Sequence, residues 1–143
     1  MTDSPDIRST AREDPPSREV VPAWQAGRRS APLVLVIDDE PPIVELLALL
    51  FEEEGFLVLS AYDGAEGLRL AEERQPDLVI SDVSMPRLSG IDLVRRLRDD
   101  GRSVPVILMS AVVRATPDDS VVFVTKPFDL DEMLQLAIDR LGA

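Results

Sequence analysis

Acidic side chains follow two apolar runs of this sequence, and a lysine follows a third. Asp38 and Asp39 come directly after "LVLVI", Asp82 follows "LVIS", and Lys126 follows "VVFVT". Lys126 is the only lysine among the 15 basic residues of the chain, and all the others are arginines. Carboxylates held close together repel one another, so they take up protons or bind a cation. The pattern therefore predicts a cation-binding acidic site, provided that the fold brings these positions together.

The residue types narrow the choice of cation. The chain contains no His and no Cys, which excludes zinc sites, histidine acid–base catalysis, disulfides and thiolate chemistry. A site of oxygen ligands alone favours Mg²⁺, which also accepts phosphate oxygens. Lys126 would face such a site as a compact point charge, a role that the larger planar arginine does not fill easily. The alternative is that Lys126 is simply a residue of a surface loop.

Hydrophobic periodicity predicts the elements that would position these residues. Continuous apolar runs predict strands over 33–37, 56–61, 77–81, 104–110 and 121–125. Helical spacing predicts helices over 42–54, 64–75, 90–100 and 130–141. Asp63 and Asp129 stand at N-cap positions of the second and last helices. Strands that alternate with helices favour a doubly wound parallel α/β sheet in the order 2-1-3-4-5, with strand ends meeting at one crevice.

Two other kinds of phosphate chemistry are disfavoured at the end of the first strand. A nucleotide-binding cradle needs a glycine-rich loop whose N–H groups meet the phosphates, whereas this chain has the acidic "DDEPP". A phosphatase of the haloacid dehalogenase type also uses an Asp there, but it places a second Asp two residues later. Glu40 stands at that position here, followed by two prolines.

Four stretches resemble the receiver domain of two-component response regulators: "LVLVIDDEPPIVELL", "PDLVISDVSMPRLSGIDLVRRLR", "VPVILMSA" and "TKPFDLDEML". The resemblance covers residues 32–143 and implies the flavodoxin-like receiver fold. Residues 1–31 are rich in Pro, Ser, Arg and Asp without periodicity, which predicts a disordered N-terminal arm. Trp24, the only tryptophan, is either an exposed residue of that arm or an anchor that packs on the domain or a partner.

The resemblance implies a role for each residue of the acidic site. Asp82 matches the aspartate that accepts a phosphoryl group, so that an acyl phosphate forms. Asp38 and Asp39 match the acidic pair that holds Mg²⁺, and the carbonyl of Ser84 matches a backbone ligand of the same ion. The resemblance thus implies Mg²⁺ as the cofactor and a phosphoacceptor rather than an enzyme, with autophosphatase-type chemistry at most.

The resemblance also implies roles at the ends of the last two strands. Ser110 matches the hydroxyl that follows the phosphoryl group, and Lys126 matches the lysine that contacts a phosphoryl oxygen. Pro127 matches a proline that a cis peptide bond usually precedes. Phe123 falls on the aromatic switch position of receivers, although a plain core residue of the strand is an equal alternative.

The partners follow from the resemblance and from the charge. A receiver takes its phosphoryl group from a phosphohistidine, which this chain lacks, so a histidine kinase or histidine phosphotransfer protein is implied. The net charge of −12 opposes direct contact with nucleic acid or an anionic membrane, so the downstream target is expected to be a protein. The last helix is predicted to end near Leu141, which suggests a stand-alone receiver. The alternative function is a receiver-like binding module that acts independently of phosphorylation.

Two further expectations concern the cellular location of the protein and a departure from the family pattern. The first residues lack the apolar core of a secretion signal, and no apolar run is long enough for a membrane span, which predicts a cytoplasmic protein. Only residues 111–120 separate the last two strands, and Pro117 interrupts them. The fourth helix of the family is therefore predicted to be missing or reduced to one turn.

Overall fold

Five strands and four helices make up the part of the chain that the computed structural model describes, residues 31–112 and 119–142. The strands are β1 (Leu33–Ile37), β2 (Leu57–Ala61), β3 (Leu78–Asp82), β4 (Val106–Ser110) and β5 (Val121–Thr125). The helices are α1 (Pro41–Glu53), α2 (Gly64–Arg74), α3 (Gly90–Asp99) and α4 (Leu130–Arg140). The strands form one parallel sheet in the order β2-β1-β3-β4-β5, which confirms the predicted doubly wound topology.

The central strands β1, β3 and β4 are buried almost throughout, which explains why they are continuous apolar runs, whereas the edge strands β2 and β5 are partly exposed. Leu35 and Leu108 point toward the layer formed with α2 and α3, where Leu93 packs. Val36 belongs to the opposite layer, together with Phe51 of α1 and Met133 of α4. Each central strand therefore needs apolar side chains at successive positions, and the sheet lies between two helical layers.

The element boundaries differ from the predicted ones by at most two residues. Strand β3 continues through Asp82, which pairs with Met109 in the parallel register, so Asp82 belongs to the strand rather than following it. Strand β4 begins at Val106, two residues later than predicted, and the preceding Pro105 has no N–H to donate to a sheet. The extended β3 fixes the backbone of Asp82 in the sheet.

Two predicted helix caps are confirmed. The Asp63 carboxylate accepts a hydrogen bond from the N–H of Glu66 at 2.8 Å, at the start of α2. The Asp129 carboxylate accepts hydrogen bonds from the N–H groups of Asp131 and Glu132, at 2.8 and 3.4 Å, at the start of α4. Both caps satisfy N–H groups that have no partner within the helix.

Replacing Asp63 by alanine is expected to lower the free energy of unfolding by about 1 kcal/mol, because the Glu66 N–H then loses its acceptor. Asp63→Asn is the matched control, since asparagine also caps helices and should retain most of the stability. Urea denaturation of both variants measures the difference. Equal stability of the alanine and asparagine variants would contradict a capping contribution.

Three expectations fall at the limits of the described chain. Residues 111, 112, 119 and 120 are not helical, while 113–118, the rest of the segment in which the fourth helix is predicted to be missing or reduced to one turn, lie outside the described residues. Residues 1–30, which make up nearly all of the predicted arm and include Trp24, also lie outside them. Within the described ranges, no helix is both long enough and apolar enough to cross a membrane.

Candidate functional site

The parallel sheet brings the ends of four strands to one edge. Asp38 follows β1, Asp82 ends β3, Ser110 ends β4 and Lys126 follows β5. Backbone hydrogen bonds join neighbouring strands here: the Lys126 N–H donates to the Ser110 carbonyl of β4 at 2.8 Å, and the Asp38 N–H donates to the carbonyl of Ala61, the last residue of β2, at 3.2 Å. The peptide bond between Lys126 and Pro127 is cis, as the resemblance implied.

Lys126 forms the electrostatic centre of the site. Its Nζ lies 3.2 Å from Asp38 Oδ2 and 3.1 Å from Asp82 Oδ1. Asp38 is fully buried and Asp82 is 7% exposed, whereas the lysine side chain is 23% exposed. The ammonium group therefore compensates two carboxylates that have little access to solvent, and it does so from the rim of the crevice.

Burial and charge shift the ionisation of this group of side chains. Burial raises the pKa of Asp38 above its usual value, and the charge of Asp82 raises it further, although the N–H of Glu40 and the charge of Lys126 act in the opposite direction. Burial alone lowers the pKa of Lys126, but its contacts with Asp82 and Asp38 outweigh that effect and raise the pKa overall. Lys126 thus remains protonated at neutral pH. Its charge and the Glu40 N–H stabilise the ionised form of Asp38, but they do not fully offset the effect of burial.

Three carboxylates meet the geometric requirement of a metal site. Asp38, Asp39 and Asp82 each offer one oxygen atom, and these atoms all lie within 4.8 Å of one another. The donors are hard oxygen atoms from carboxylates, which suit Mg²⁺ or Ca²⁺ rather than a soft transition metal. Asp39 is exposed, so the cluster opens toward solvent on one side and remains accessible to an ion with its own water ligands.

The other predicted residues lie around this cluster in different ways. Ser110 is 4% exposed, and its Oγ accepts a hydrogen bond from the Val112 N–H at 3.2 Å, a bond that does not use the hydroxyl hydrogen. Ser84 lies in the loop after β3, and its side chain is exposed. Phe123 is half-buried and packs against the core layer beside α2 and α3, an arrangement that suits either of its two predicted roles.

Two residues near the site received no chemical role from the sequence. Glu40 Oε1 lies 3.8 Å from Lys126 Nζ, and the Glu40 N–H donates to Asp38 Oδ1 at 2.9 Å. The Ser81 hydroxyl donates to the Asp82 carbonyl at 2.9 Å in the buried end of β3. The two hydrogen bonds join residues one or two positions apart, so they leave no periodic pattern in the sequence, and the only sequence signal for them is that Glu40 and Ser81 adjoin Asp39 and Asp82.

Curated relatives match a large part of this chain. KdpE of Mycobacterium tuberculosis, a transcriptional regulatory protein, is 44% identical over 111 residues, which cover 71% of this chain and 47% of KdpE. The probable transcriptional regulatory protein TcrX of the same species is 34% identical over 110 residues, 71% of this chain and 46% of TcrX. The match thus spans less than half the length of both relatives.

Solved structures show the same fold. A Francisella response regulator receiver domain superposes with a TM-score of 0.69 at 34% identity, covering 77% of this chain and 95% of that domain. The response regulator TrrA of Thermotoga maritima, in complex with Mg²⁺ and BeF, superposes with a TM-score of 0.67 at 32% identity, covering 76% of this chain and 98% of TrrA. The family model of the response regulator receiver domain matches residues 34–138. The chain therefore belongs to the response regulator receiver domain family.

Proposed function

We propose that this receiver accepts a phosphoryl group on the Asp82 carboxylate in a Mg²⁺-dependent reaction. The observation that supports the proposal most directly is the placement of Lys126 Nζ 3.1 Å from Asp82 Oδ1, beside the cluster of three carboxylates. An ammonium group and a bound cation next to a carboxylate nucleophile provide the positive charge that a transferring phosphoryl group requires.

The proposed reaction uses each side chain for a separate task. A carboxylate oxygen of Asp82 attacks phosphorus, an O–P bond forms, and the P–N bond of the phosphohistidine donor breaks to release its imidazole. The Ser110 hydroxyl and the Lys126 ammonium donate hydrogen bonds to the transferred phosphoryl oxygens. Asp38, Asp39, Asp82 and the carbonyl of Ser84 would hold Mg²⁺, which would supply positive charge that offsets the charge of the phosphoryl oxygens.

The proposed donor is a histidine kinase or a histidine phosphotransfer protein, and the proposed target is a protein. The chain has no histidine of its own to serve as donor, and the net charge of −12 opposes binding to nucleic acid. The relatives named as transcriptional regulators do not decide the target, because the match leaves more than half of KdpE and TcrX uncovered. We also propose the division into an N-terminal arm, 1–31, and a receiver domain, 32–143.

Incubation with acetyl phosphate and Mg²⁺, followed by intact mass spectrometry, tests the proposal. We expect the mass of one phosphoryl group to be added to the wild-type protein, and no addition to Asp82→Asn or in the presence of EDTA. Asp99→Asn is the matched control, because Asp99 is an exposed carboxylate at the end of α3 and should leave the adduct unchanged. An adduct that persists in Asp82→Asn would contradict Asp82 as the acceptor, and no wild-type adduct would favour the binding module that acts without phosphorylation.

A further inference from the structure

The outward face of α1 exposes two leucines. Leu46 and Leu49 are 43% and 54% exposed, and their spacing of three residues places them side by side on the helix surface. Leu46 also lines a groove of about 370 Å³ together with Ile43, Phe128 and Leu130. We call Leu46 and Leu49 the α1 leucine surface, and it continues into an apolar groove at one end.

The other end of the same helix is acidic. Residues 41–54 contain four glutamates and no basic residue. Glu52 and Glu53 are exposed in the last turn of α1, where basic side chains are absent and where the helix dipole favours positive charge. A segment that covers the α1 leucine surface would therefore gain from basic residues near the C-terminal end of α1.

The chain enters the domain beside this acidic end. Ala31 packs against the core layer that contains Phe51 of α1, and the Pro32 carbonyl accepts a hydrogen bond from the Leu57 N–H at 3.0 Å, just after α1. The sequence before Ala31 reads "REVVPAWQAGRRS" over residues 18–30, with three arginines and one glutamate. Its charge is thus opposite to that of α1.

The segment between Trp24 and Ala31 is long enough to reach the α1 leucine surface. Trp24 precedes Ala31 by seven residues, which span at most about 25 Å when extended. Leu46 precedes Glu53 by the same number of residues, but these rise only about 10 Å along a helix. Trp24 therefore has enough chain to reach both leucines, while Arg28 and Arg29 remain beside the glutamates.

We propose that residues 20–29 bind across the outward face of α1 in the same molecule. In this arrangement Trp24 covers the α1 leucine surface, and Arg28 and Arg29 pair with Glu52 and Glu53. A tryptophan suits this role because it buries a large apolar area with few rotatable bonds. The bound segment lies near the phosphoryl site, since the groove that Leu46 lines also includes Glu40 and Lys126.

Tryptophan fluorescence of the full chain tests the proposal, because Trp24 is the only tryptophan. We expect wild-type Trp24 to be less quenched by acrylamide than free N-acetyltryptophanamide. The double substitution Leu46→Ser with Leu49→Ser should shift the emission to longer wavelength and raise quenching to that of the free compound. Leu57→Ser is the matched control: Leu57 is 57% exposed but lies at the start of β2, so its replacement should leave both readings unchanged.

A second pair of variants tests the charge contacts. Arg28→Glu with Arg29→Glu should release Trp24 as the leucine substitutions do, whereas Arg8→Glu with Arg12→Glu should not. Far-UV circular dichroism of each variant excludes unfolding as the cause. Wild-type quenching equal to that of the free compound, or no change in the leucine variant, would overturn the proposal. Protection of Trp24 that grows with protein concentration would overturn it in favour of binding to a second copy.

Discussion

A Lys126→Met variant is expected to lose about 3 kcal/mol of unfolding free energy at neutral pH in the absence of divalent cations. The substitution removes the ammonium group that lies 3.2 Å from Asp38 Oδ2 and 3.1 Å from Asp82 Oδ1. Both carboxylates are buried, so they then face each other without that positive charge. The lysine side chain is partly exposed, so the expected loss of unfolding free energy lies at the low end of the range found when one partner of a buried ion pair is removed. Urea denaturation with EDTA present measures it.

The loss should depend on pH and on Mg²⁺. Burial already raises the pKa of Asp38, and removal of Lys126 raises it further, so the ionised carboxyl destabilises the folded state above its raised pKa. This penalty should shrink as the pH falls below the raised pKa, and it should vanish below the unfolded value near 3.8. The raised pKa of Lys126 keeps the wild-type lysine protonated throughout that range. Added Mg²⁺ should recover part of the loss by replacing the missing charge.

The Lys126→Arg variant distinguishes the effect of the positive charge from the effect of the side-chain shape. The arginine variant keeps a positive charge and should retain most of the stability, but its planar guanidinium should impair phosphorylation by acetyl phosphate. Wild-type phosphorylation of Lys126→Arg would contradict a requirement for the compact ammonium group and would show that the positive charge alone is sufficient. Wild-type stability of Lys126→Met in EDTA would show that the two carboxylates are compensated in another way.

The sheet order was predictable because few topologies satisfy alternating strands and helices with right-handed crossovers. Once that order is fixed, the positions of Asp38, Asp82 and Lys126 at the strand ends follow, and the structure confirms that they lie together. The contact of Glu40 with Lys126 was not predictable in the same way, because it depends on the path of the backbone beyond β1. The chemical roles of the site residues stay predictions until phosphorylation is measured.

The exposed leucines of α1 illustrate another limit of structure prediction from the sequence. The run "IVELLALLF" is apolar at nearly every position, so its periodicity predicts a helix without showing which leucines face outward. The structure buries Leu47 and leaves Leu46 and Leu49 exposed, because the helix packs on one face of the sheet only. A sequence that is apolar around the whole helix therefore hides the surface on which the proposed binding of Trp24 depends.

Replacing Gly90 by alanine is expected to lower the free energy of unfolding by about 2–3 kcal/mol and to reduce phosphorylation of Asp82. A Cβ atom at position 90 would lie 2.5 Å from the Asp82 carbonyl oxygen and 3.0 Å from Leu108 Cδ2. The Gly90 N–H also donates to the Val83 carbonyl at 3.0 Å, which ties the start of α3 to the end of β3. The clash must therefore move α3 away from β3 or shift the backbone of Asp82 itself.

Gly101→Ala is the matched control for the Gly90 substitution, because it also replaces a glycine with alanine but meets no neighbouring atom within 4 Å. Its φ of +79° makes alanine strained there, so we expect a loss of about 1 kcal/mol with normal phosphorylation. Urea denaturation measures the first effect, and intact mass after incubation with acetyl phosphate measures the second. Equal stability losses with normal phosphorylation in both variants would contradict the prediction, since the effect at position 90 would then come from the backbone alone. A larger stability loss in Gly90→Ala, together with a reduced adduct, would indicate that close packing of α3 against β3 positions the Asp82 carboxylate.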